Sequence, residues 1–376
     1  MINEVGLPEL RPPSREERRG VRGLYYCDWF EDYTAKLASA VSSQGHDVTV
    51  IVRESAPEFR GRTADADELR QALRNNVTHL DVLPGRYWSL TSLSRIRERR
   101  RTADGVRFDY FHLQQTGDPR FLWTALRIPT IVTLHEPRRR VGYRTKRGFR
   151  TFSANAVLRA YRLLCAGIIV HTPSGFDALS PREKQKAVII PHGVSPAVIE
   201  RQADSKTILF FGNAQRYKGL DTLLAAMSEV WKSEPEAELR VLASPADDQC
   251  RRETSDNRIS ASWDGYSDSE LRAALASARA VCLPYLMGGG SGAGADAYGA
   301  GTPIVASDLE GLRELVSAEE LLVRPGDVAD LARALVAVLQ RDYAPPAVNA
   351  DLTWPTVASK HLEAYSTAIS RRKRTE

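Results

Sequence analysis

A glycine-rich segment between two short apolar runs carries the residues best suited to bind a ligand. Ala280–Leu283 predicts a buried strand, and the glycines around Ser291 and Gly292 lead into a helix of small residues. A glycine-rich loop at a helix start offers free backbone N–H groups and a positive dipole end, which attract an anion. Asp296 lies about one turn into this helix, where its carboxylate could accept hydrogen bonds from sugar hydroxyls. The segment therefore predicts a site for a phosphorylated sugar compound, with a nucleotide-sugar as the first candidate.

Short apolar segments alternate with helical patterns along the N-terminal half of the chain. Asp32–Val41 has apolar side chains at helical spacing, and Ala154–Cys165 predicts a second helix further along. Strands are predicted at Gly23–Tyr26, Val48–Val52, Val77–Leu83, Tyr110–Leu113, Thr130–Leu134, Gly167–Val170 and Ala187–Ile190. Such alternation implies a parallel sheet covered by helices.

The C-terminal half shows the same alternation of strands and helices. Asp221, Ser267 and Asp327 are predicted to cap helices, and Ser267 forms a capping box with Glu270. A final helical segment covers Thr356–Arg371. Strands are predicted at Thr207–Phe211, Leu239–Leu242, Ala280–Leu283 and Ile304–Ala306.

Two runs of alternation predict an α/β protein with two doubly wound domains, which agrees with the length of 376 residues. We place the boundary at Pro191–Pro196, so that residues 21–196 form the first domain and residues 197–355 the second. Residues 1–20 are polar and interrupted by prolines, and we expect them to be disordered.

Composition argues against several classes of protein. The chain has no apolar run of about 18 residues, and its N-terminus lacks the apolar region of a signal peptide. Its 4 cysteines lie far apart without metal spacing, which indicates reduced thiols in a cytoplasmic protein. We expect neither a metal nor a cofactor.

The net charge of +5 comes with clusters of basic residues at 95–101, 138–150 and 371–374. These clusters are either solvated helix faces or a surface that attracts an anionic membrane or a phosphorylated acceptor. No recognisable nucleic-acid-binding motif accompanies them, so we do not expect nucleic acid as a partner.

Two segments resemble the retaining glycosyltransferases of family 4, which have the GT-B fold. Ile208–Asp221 is similar to the family's strand followed by Gly, Arg and Lys-Gly, and Leu283–Val305 is similar to its glycine-rich segment. Weaker matches are Thr133–Glu136, Ile190–Val194 and Gly45–Thr49. The resemblance implies two Rossmann-like domains that face a cleft, with residues 356–376 crossing back onto the first domain.

The resemblance also implies that the second domain binds the nucleotide-sugar donor. Lys218 and Arg216 would act in catalysis by neutralising the diphosphate of the leaving group. Asp296 would hold the ribose hydroxyls of the nucleotide. The other donor contacts are assigned to Gly212, Gly289, Gly290, Ser291 and Gly292.

Two positions depart from the family pattern. Gly288 stands where the first of two family glutamates contacts the donor sugar, and Asn213 stands where the family more often has an arginine. These departures favour an alternative hypothesis, a catalytically weak relative that serves as a binding or partner subunit. A GT-B epimerase would need a set of carboxylates and histidines that we cannot assemble from the sequence.

The first domain is expected to bind the acceptor. The resemblance places His135 beside the donor sugar as a catalytic residue, whereas His171 is interpreted as a structural residue at a strand end. Trp29, Glu31 and Asp32 replace a glycine loop of the relatives and are assigned to the acceptor side. Asp32 as an ordinary helix N-cap is an equal alternative.

The reaction implied is transfer of a sugar, with retention at the anomeric carbon, to an acceptor hydroxyl. The acceptor would be a glycan, a lipid-linked saccharide or a small-molecule glycoside. The departing phosphate would help to deprotonate this hydroxyl, a route that needs no pair of catalytic carboxylates. The expected location is the cytoplasm or the inner face of the membrane.

Overall fold

The computed structural model describes most of the chain after residue 19. The described residues are 20–28, 30–53, 71, 73–83, 107–135, 149–197, 199–202, 204–244, 256–288, 290–344 and 347–374. Side chains of the helix that begins at Phe149 are described from Ser153 onward. The predictions for residues 1–19, Trp29, Gly289 and the basic residues 95–101 and 138–148 lie outside this part of the chain.

The first sheet is parallel and seven-stranded. Its strands are β1 (Arg22–Cys27), β2 (Asp47–Arg53), β3 (His79–Leu83), β4 (Tyr110–Gln114), β5 (Thr130–Leu134), β6 (Gly167–Val170) and β7 (Ala187–Ile189). They follow the order β3-β2-β1-β4-β5-β6-β7, which is doubly wound from a central first strand.

The second sheet is also parallel and has six strands. They are β8 (Thr207–Asn213), β9 (Glu238–Ser244), β10 (Ile259–Ser262), β11 (Ala280–Leu283), β12 (Ile304–Ser307) and β13 (Leu322–Val323). The order β10-β9-β8-β11-β12-β13 places the two predicted ligand-binding loops, after β8 and after β11, on adjacent strands.

Helices cover both sheets. They are α1 (Glu31–Ser43), α2 (Leu122–Arg127), α3 (Phe149–Leu164), α4 (Pro173–Asp177), α5 (Pro181–Lys184), α6 (Leu220–Val230), α7 (Asp268–Ser277), α8 (Gly292–Gly299), α9 (Glu310–Arg313), α10 (Val328–Gln340) and α11 (Trp354–Lys373). Among the described residues, no helix combines the length and the apolar character needed to cross a bilayer.

Successive residues of a strand point to opposite faces, so each sheet has a core on both sides. In the first sheet, Tyr25 packs in a core with Val41 of α1 and Tyr365 of α11, while Tyr26 packs on the other side. In the second sheet, Phe210 packs in a core with residues of α6 and α10, and Phe211 packs on the opposite side with residues of α7 and α8.

The last helix, α11, returns from the second sheet to the first, which confirms the predicted crossing helix. A bridge between Val194 and Thr353 precedes it. On the first sheet, Tyr365 stacks on Tyr110 with 4.1 Å between ring centroids, and its hydroxyl lies 2.8 Å from Nδ1 of His112. The helix thereby contributes side chains to the core of the first domain.

The predicted strands are confirmed to within about two residues at each end, and Thr130–Leu134, Gly167–Val170 and Ala280–Leu283 are confirmed without change. The sequence reasoning missed β10 and β13. β10 is a largely exposed edge strand with a mixed sequence, and β13 has only 2 residues, so neither forms a distinctive apolar run.

Two of the predicted helix caps are confirmed and one is wrong. Ser267 accepts a hydrogen bond from the backbone N–H of Glu270, and Asp327 caps α10 in the same way. The prediction for Asp221 is wrong because α6 already begins at Leu220, so that Asp221 lies within its first turn. Its N-cap is Gly219, whose φ of 70° is a left-handed conformation that glycine adopts readily.

Candidate functional site

The loop after β8 brings Lys218 to the carboxyl end of the second sheet. Lys218 lies in a 3₁₀ turn, Arg216–Lys218, that follows Gly212 at the end of β8. Gly212 has a φ of 110°, and a Cβ atom there would lie 3.2 Å from Nζ of Lys218. The glycine therefore leaves room for the ammonium group beside the strand end.

A chain of hydrogen bonds joins this lysine to the glycine-rich segment. Nζ of Lys218 donates to the hydroxyl of Tyr285 at 3.1 Å. The Tyr285 hydroxyl is 2.9 Å from Oγ of Ser291, which accepts from the backbone N–H of Gly294 at 3.0 Å. Ser291 is the N-cap of α8. A cation and a helix N-terminus are thus held together by one buried tyrosine.

Lys218 keeps its positive charge at this position. Burial lowers the pKa of Lys218, but the hydroxyls of Tyr285 and Tyr217 outweigh this effect and raise the pKa above its usual value. The ammonium group also lies 4.9 Å from the centroid of the Tyr285 ring. Arg216 is exposed at the start of the turn, and its role at a diphosphate remains a prediction.

The glycine-rich loop lies against histidines of the first domain. A Cβ atom on Gly290 would lie 3.7 Å from Cβ of His171, and one on Gly292 would lie 4.0 Å from Nε2 of His192. Gly288 has a φ of 135°, a conformation that residues with a side chain rarely adopt. The backbone at this position therefore disfavours the glutamate of the family motif.

Asp296 reaches across to the first domain. Its Oδ1 lies 3.3 Å from Nζ of Lys36 on α1, and the same Nζ lies 2.9 Å from Oδ2 of Asp32. The N-cap alternative for Asp32 is wrong because α1 begins at Glu31, after an N-cap at Phe30. Asp32 belongs instead to the first turn of α1, where it pairs with Lys36 of the same helix, and only the contact of Lys36 with Asp296 joins the two domains.

His135 follows β5 and is fully engaged within the first domain. Its Nε2 lies 2.8 Å from Oε1 of Gln114, and its Nδ1 lies 3.1 Å from Nε2 of His171. Its ring stacks on Phe30 with 3.6 Å between centroids. His171 in turn contacts the backbone oxygen of Ile190 through Nδ1 at 2.9 Å.

Tyr33 of α1 lies at the centre of this histidine cluster. Its ring contacts His135, His171 and His192, with centroids 4.9, 5.3 and 5.1 Å away. Its hydroxyl lies 3.2 Å from Nε2 of His361 on α11. Despite this clustering, the described residues contain no group of three or more histidine, cysteine or acidic side chains arranged to hold a metal ion.

The histidines of the cluster are neutral at pH 7. Burial and the neighbouring His171 lower the pKa of His135 well below its usual value. Burial and the nearby His192 lower the pKa of His171 to about 3. Burial also lowers the pKa of His361 to about 4. His135 therefore contributes an uncharged ring rather than a cation.

A small cavity that opens to solvent lies between the two domains. His171 and His192 line it from the first domain, and Gly290, Ser291 and Glu314 line it from the second. Burial raises the pKa of Glu314 above its usual value. The cavity thus joins the helix N-terminus, two neutral histidines and a carboxyl group.

The sequence reasoning missed several residues of this site, Tyr33 and Glu314 among them. Tyr285 was visible only as part of the Leu-Pro-Tyr match, and Lys36 only as a polar position on α1. Gln114 ends an apolar strand and His171 follows another, which are the positions where doubly wound sheets bind ligands. Their positions directly at the carboxyl ends of strands were the signal that could have identified both Gln114 and His171.

The two facing doubly wound domains and the crossing last helix define the GT-B fold. Sucrose-phosphate synthase from Thermosynechococcus elongatus has the same fold, with a TM-score of 0.61, 17% identity, and coverage of 94% of this chain and 98% of that one. The HepE protein of Anabaena, solved with UDP-glucose, has a TM-score of 0.60 at 12% identity, covering 94% and 99% of the two chains.

Two family models assign the chain more closely. The model for Glycosyltransferase Family 4 matches residues 31–198, and the model for Glycosyl transferases group 1 matches residues 205–341. The chain therefore belongs to the family 4 type of glycosyltransferases. It is 28% identical over 368 residues to a phosphatidyl-myo-inositol mannosyltransferase of Mycobacterium leprae, covering 90% of this chain and 93% of that protein.

Proposed function

We propose that the protein transfers a sugar from a nucleotide-sugar to an acceptor hydroxyl, with retention at the anomeric carbon. One observation supports the position of the donor site. Hydrogen bonds connect Lys218, Tyr285 and Ser291 at the carboxyl ends of β8 and β11. The donor diphosphate would lie between the Lys218 ammonium group and the free N–H groups at the start of α8.

This placement suits the chemistry of the leaving group. Negative charge grows on the diphosphate as the glycosidic bond breaks, and a fixed cation together with a helix N-terminus stabilises that charge. Lys218 is held in place by Tyr285, so little reorganisation is needed at the moment of reaction.

The donor sugar would occupy the cavity between the domains. His135, neutral and fixed, would contact it from the first domain, as the family resemblance implies. Glu314, which lines the cavity beside Gly290, would supply a carboxyl group that Gly288 lacks. Asp296 would hold the ribose hydroxyls once its contact with Lys36 opens.

The acceptor would enter beside the N-terminus of α1, near Glu31 and Asp32. The leaving phosphate would take the proton of the acceptor hydroxyl on the same face of the sugar. The mannosyltransferase relative makes a mannosyl group the first donor sugar to test. Its phosphatidyl-myo-inositol acceptor makes a lipid-linked acceptor at an anionic membrane surface the first acceptor to test.

Nucleotide binding tests the donor site directly. UDP, GDP, ADP and dTDP, with their sugars, should be screened by thermal shift, because a ligand that binds the native state raises Tm. We expect one nucleotide to raise Tm and Lys218→Ala to abolish the shift. Lys206→Ala is the matched control, since Lys206 pairs with Glu236 at the opposite end of β8. A shift that survives Lys218→Ala would refute this placement of the diphosphate.

Turnover separates an enzyme from a binding subunit. The nucleotide that binds should be offered as its sugar conjugate, with and without acceptor, and release of the nucleoside diphosphate measured. Binding without release under all conditions would favour the catalytically weak relative. Nuclear magnetic resonance (NMR) of the product shows whether the anomeric configuration is retained, and an inverted product would refute that part of the proposal.

A further inference from the structure

Three side chains form a hydrogen-bonded row across the carboxyl edge of the first sheet. Gln114 ends β4, His135 follows β5 and His171 follows β6, and the row ends on the backbone oxygen of Ile190 after β7. These four strands are neighbours in the sheet in that order. The row therefore crosses the edge where the proposed donor sugar would lie.

The last acceptor sets the direction of every hydrogen bond in the row. A backbone oxygen only accepts, so Nδ1 of His171 must carry a proton. In neutral His171 the other nitrogen, Nε2, is then an acceptor. Nδ1 of His135, 3.1 Å away, must therefore donate to it, which leaves Nε2 of neutral His135 as an acceptor.

The orientation of the Gln114 amide follows from this direction. Nε2 of His135 needs a donor, and the Gln114 amide is the group beside it, at 2.8 Å. Nε2 of Gln114 is buried and has no hydrogen-bond partner among the described residues when Oε1 faces the histidine. Exchanging the amide oxygen and nitrogen, which have the same shape, places an N–H group on His135 and gives this nitrogen its partner.

The opposite direction is unfavourable. It would make His135 donate to Gln114 and accept from His171, so that His171 would carry two protons and a positive charge. Burial and the neighbouring His192 lower the pKa of His171 to about 3, which opposes that charge at neutral pH. The exchanged amide leaves one buried oxygen unsatisfied, which costs less than an unsatisfied N–H group.

We propose that Gln114 is a positioning residue that, together with His171, holds His135 as the neutral tautomer protonated at Nδ1. Both ring nitrogens of His135 are then used within the protein, and Phe30 fixes the plane of the ring. His135 serves as an oriented, uncharged group beside the donor sugar and not as a general base. The position of the donor sugar beside His135 rests on the proposed function. The tautomer of His135 does not, because it is inferred from contacts within the protein.

Nitrogen NMR of the ¹⁵N-histidine-labelled full-length protein tests the tautomer without any ligand. The His135 signals are assigned by their loss in His135→Gln. At pH 7 we expect a protonated Nδ1 and an unprotonated Nε2. A proton on Nε2, or a ring protonated at both nitrogens, would overturn the inference.

Substitutions at Gln114 test its part in the row. In Gln114→Glu a carboxylate would face His135, so we expect the apparent pKa of His135 to rise by at least about one unit. Gln115→Glu, which places the same charge on the adjacent residue, should leave both the apparent pKa and the tautomer of His135 unchanged. An equal response to both variants would show a general charge effect and would overturn the role of Gln114.

Kinetics then distinguish a positioning role from a structural one. Gln114→Leu should lower kcat about tenfold or more while the KM of the donor changes less, because the diphosphate contacts remain. If Gln114→Leu does not fold, the tautomer of the unmodified protein still decides the inference. If Lys218→Ala fails to affect nucleotide binding, the donor site is wrong, whereas the NMR result stands.

Discussion

Lys36 of α1 and Asp296 of α8 form an ion pair across the two domains, with 3.3 Å between Nζ and Oδ1. Their positions are 260 residues apart in the chain. The lysine also pairs with Asp32, so one ammonium group forms ion pairs with a carboxylate from each domain. Since Asp296 is the residue proposed to hold the ribose, this pair competes with the donor nucleotide.

Replacing Lys36 with alanine should strengthen nucleotide binding. A partly exposed ion pair contributes up to about 1 kcal/mol, so its loss should lower the Kd by about two- to fivefold. Calorimetric titration of the nucleotide identified in the thermal-shift screen measures the change. Lys184→Ala, which removes an ion pair with Asp177, is the control and should leave the Kd unchanged. Weaker binding by Lys36→Ala would show that the lysine contacts the nucleotide itself.

Tyr285→Phe should weaken donor binding without unfolding the site. The hydroxyl links Lys218 to Ser291, and losing one such hydrogen bond costs about 1 kcal/mol, or about fivefold in Kd. Tyr298→Phe is the matched control, because its hydroxyl bonds to the backbone oxygen of Ala347, away from the glycine-rich loop. The prediction fails if both variants change the nucleotide Kd equally.

Ser291→Ala and Ser267→Ala remove equivalent helix N-caps, and only the first lies at the proposed donor site. Each should lower the free energy of unfolding by about 1 kcal/mol. Ser291→Ala should in addition raise the nucleotide Kd, because the start of α8 then loses its fixed orientation. Urea unfolding and calorimetry measure the two effects, and unchanged binding by Ser291→Ala would argue against an anion at this helix end.

Restoring the family glutamate by Gly288→Glu should lower the stability of the protein. The φ of 135° at this position is strained for any residue with a side chain, at a cost of about 1–3 kcal/mol. We expect a lower Tm and no gain in turnover. Gly290→Ala, with no left-handed φ and an ordinary Cβ contact at 3.7 Å, should lower Tm less. A stable and more active Gly288→Glu would contradict this account of the loop.

Stability should fall as the pH drops below about 6.5. Burial lowers the pKa of His361 to about 4, so between these pH values the unfolded chain binds more protons than the folded one. In this range, each such histidine lowers the free energy of unfolding by about 1.4 kcal/mol for every unit by which the pH falls. Urea unfolding at pH 7, 6 and 5 measures the slope.

His361→Gln is the variant that isolates this effect. It should be less stable at pH 7, because the contacts with Tyr33 and the Val357 backbone oxygen are lost. Its stability should also depend less steeply on pH than that of the unmodified protein. Equal slopes for the two proteins would show that His361 does not contribute.

The order of strands and helices was predictable from the sequence because it depends on local patterns. Runs such as Thr130–Leu134 and Gly167–Val170 contain no charged residue and are rich in Ile, Val and Leu, as is typical of buried parallel strands, and their bounds are confirmed. The glycine-rich loop and Lys218 were also identifiable, since they follow strands directly. Short or largely exposed strands such as Ile259–Ser262 have no such pattern and were missed.

The contacts between distant residues were decided only by the tertiary structure. The row from Gln114 through His135 to His171 depends on the strand order of the sheet, which places three separate strand ends side by side. The pairing of Lys36 with Asp296 depends on how the two domains meet. A sequence pattern specifies which face of an element is buried, but packing alone determines which side chains then come within hydrogen-bonding distance.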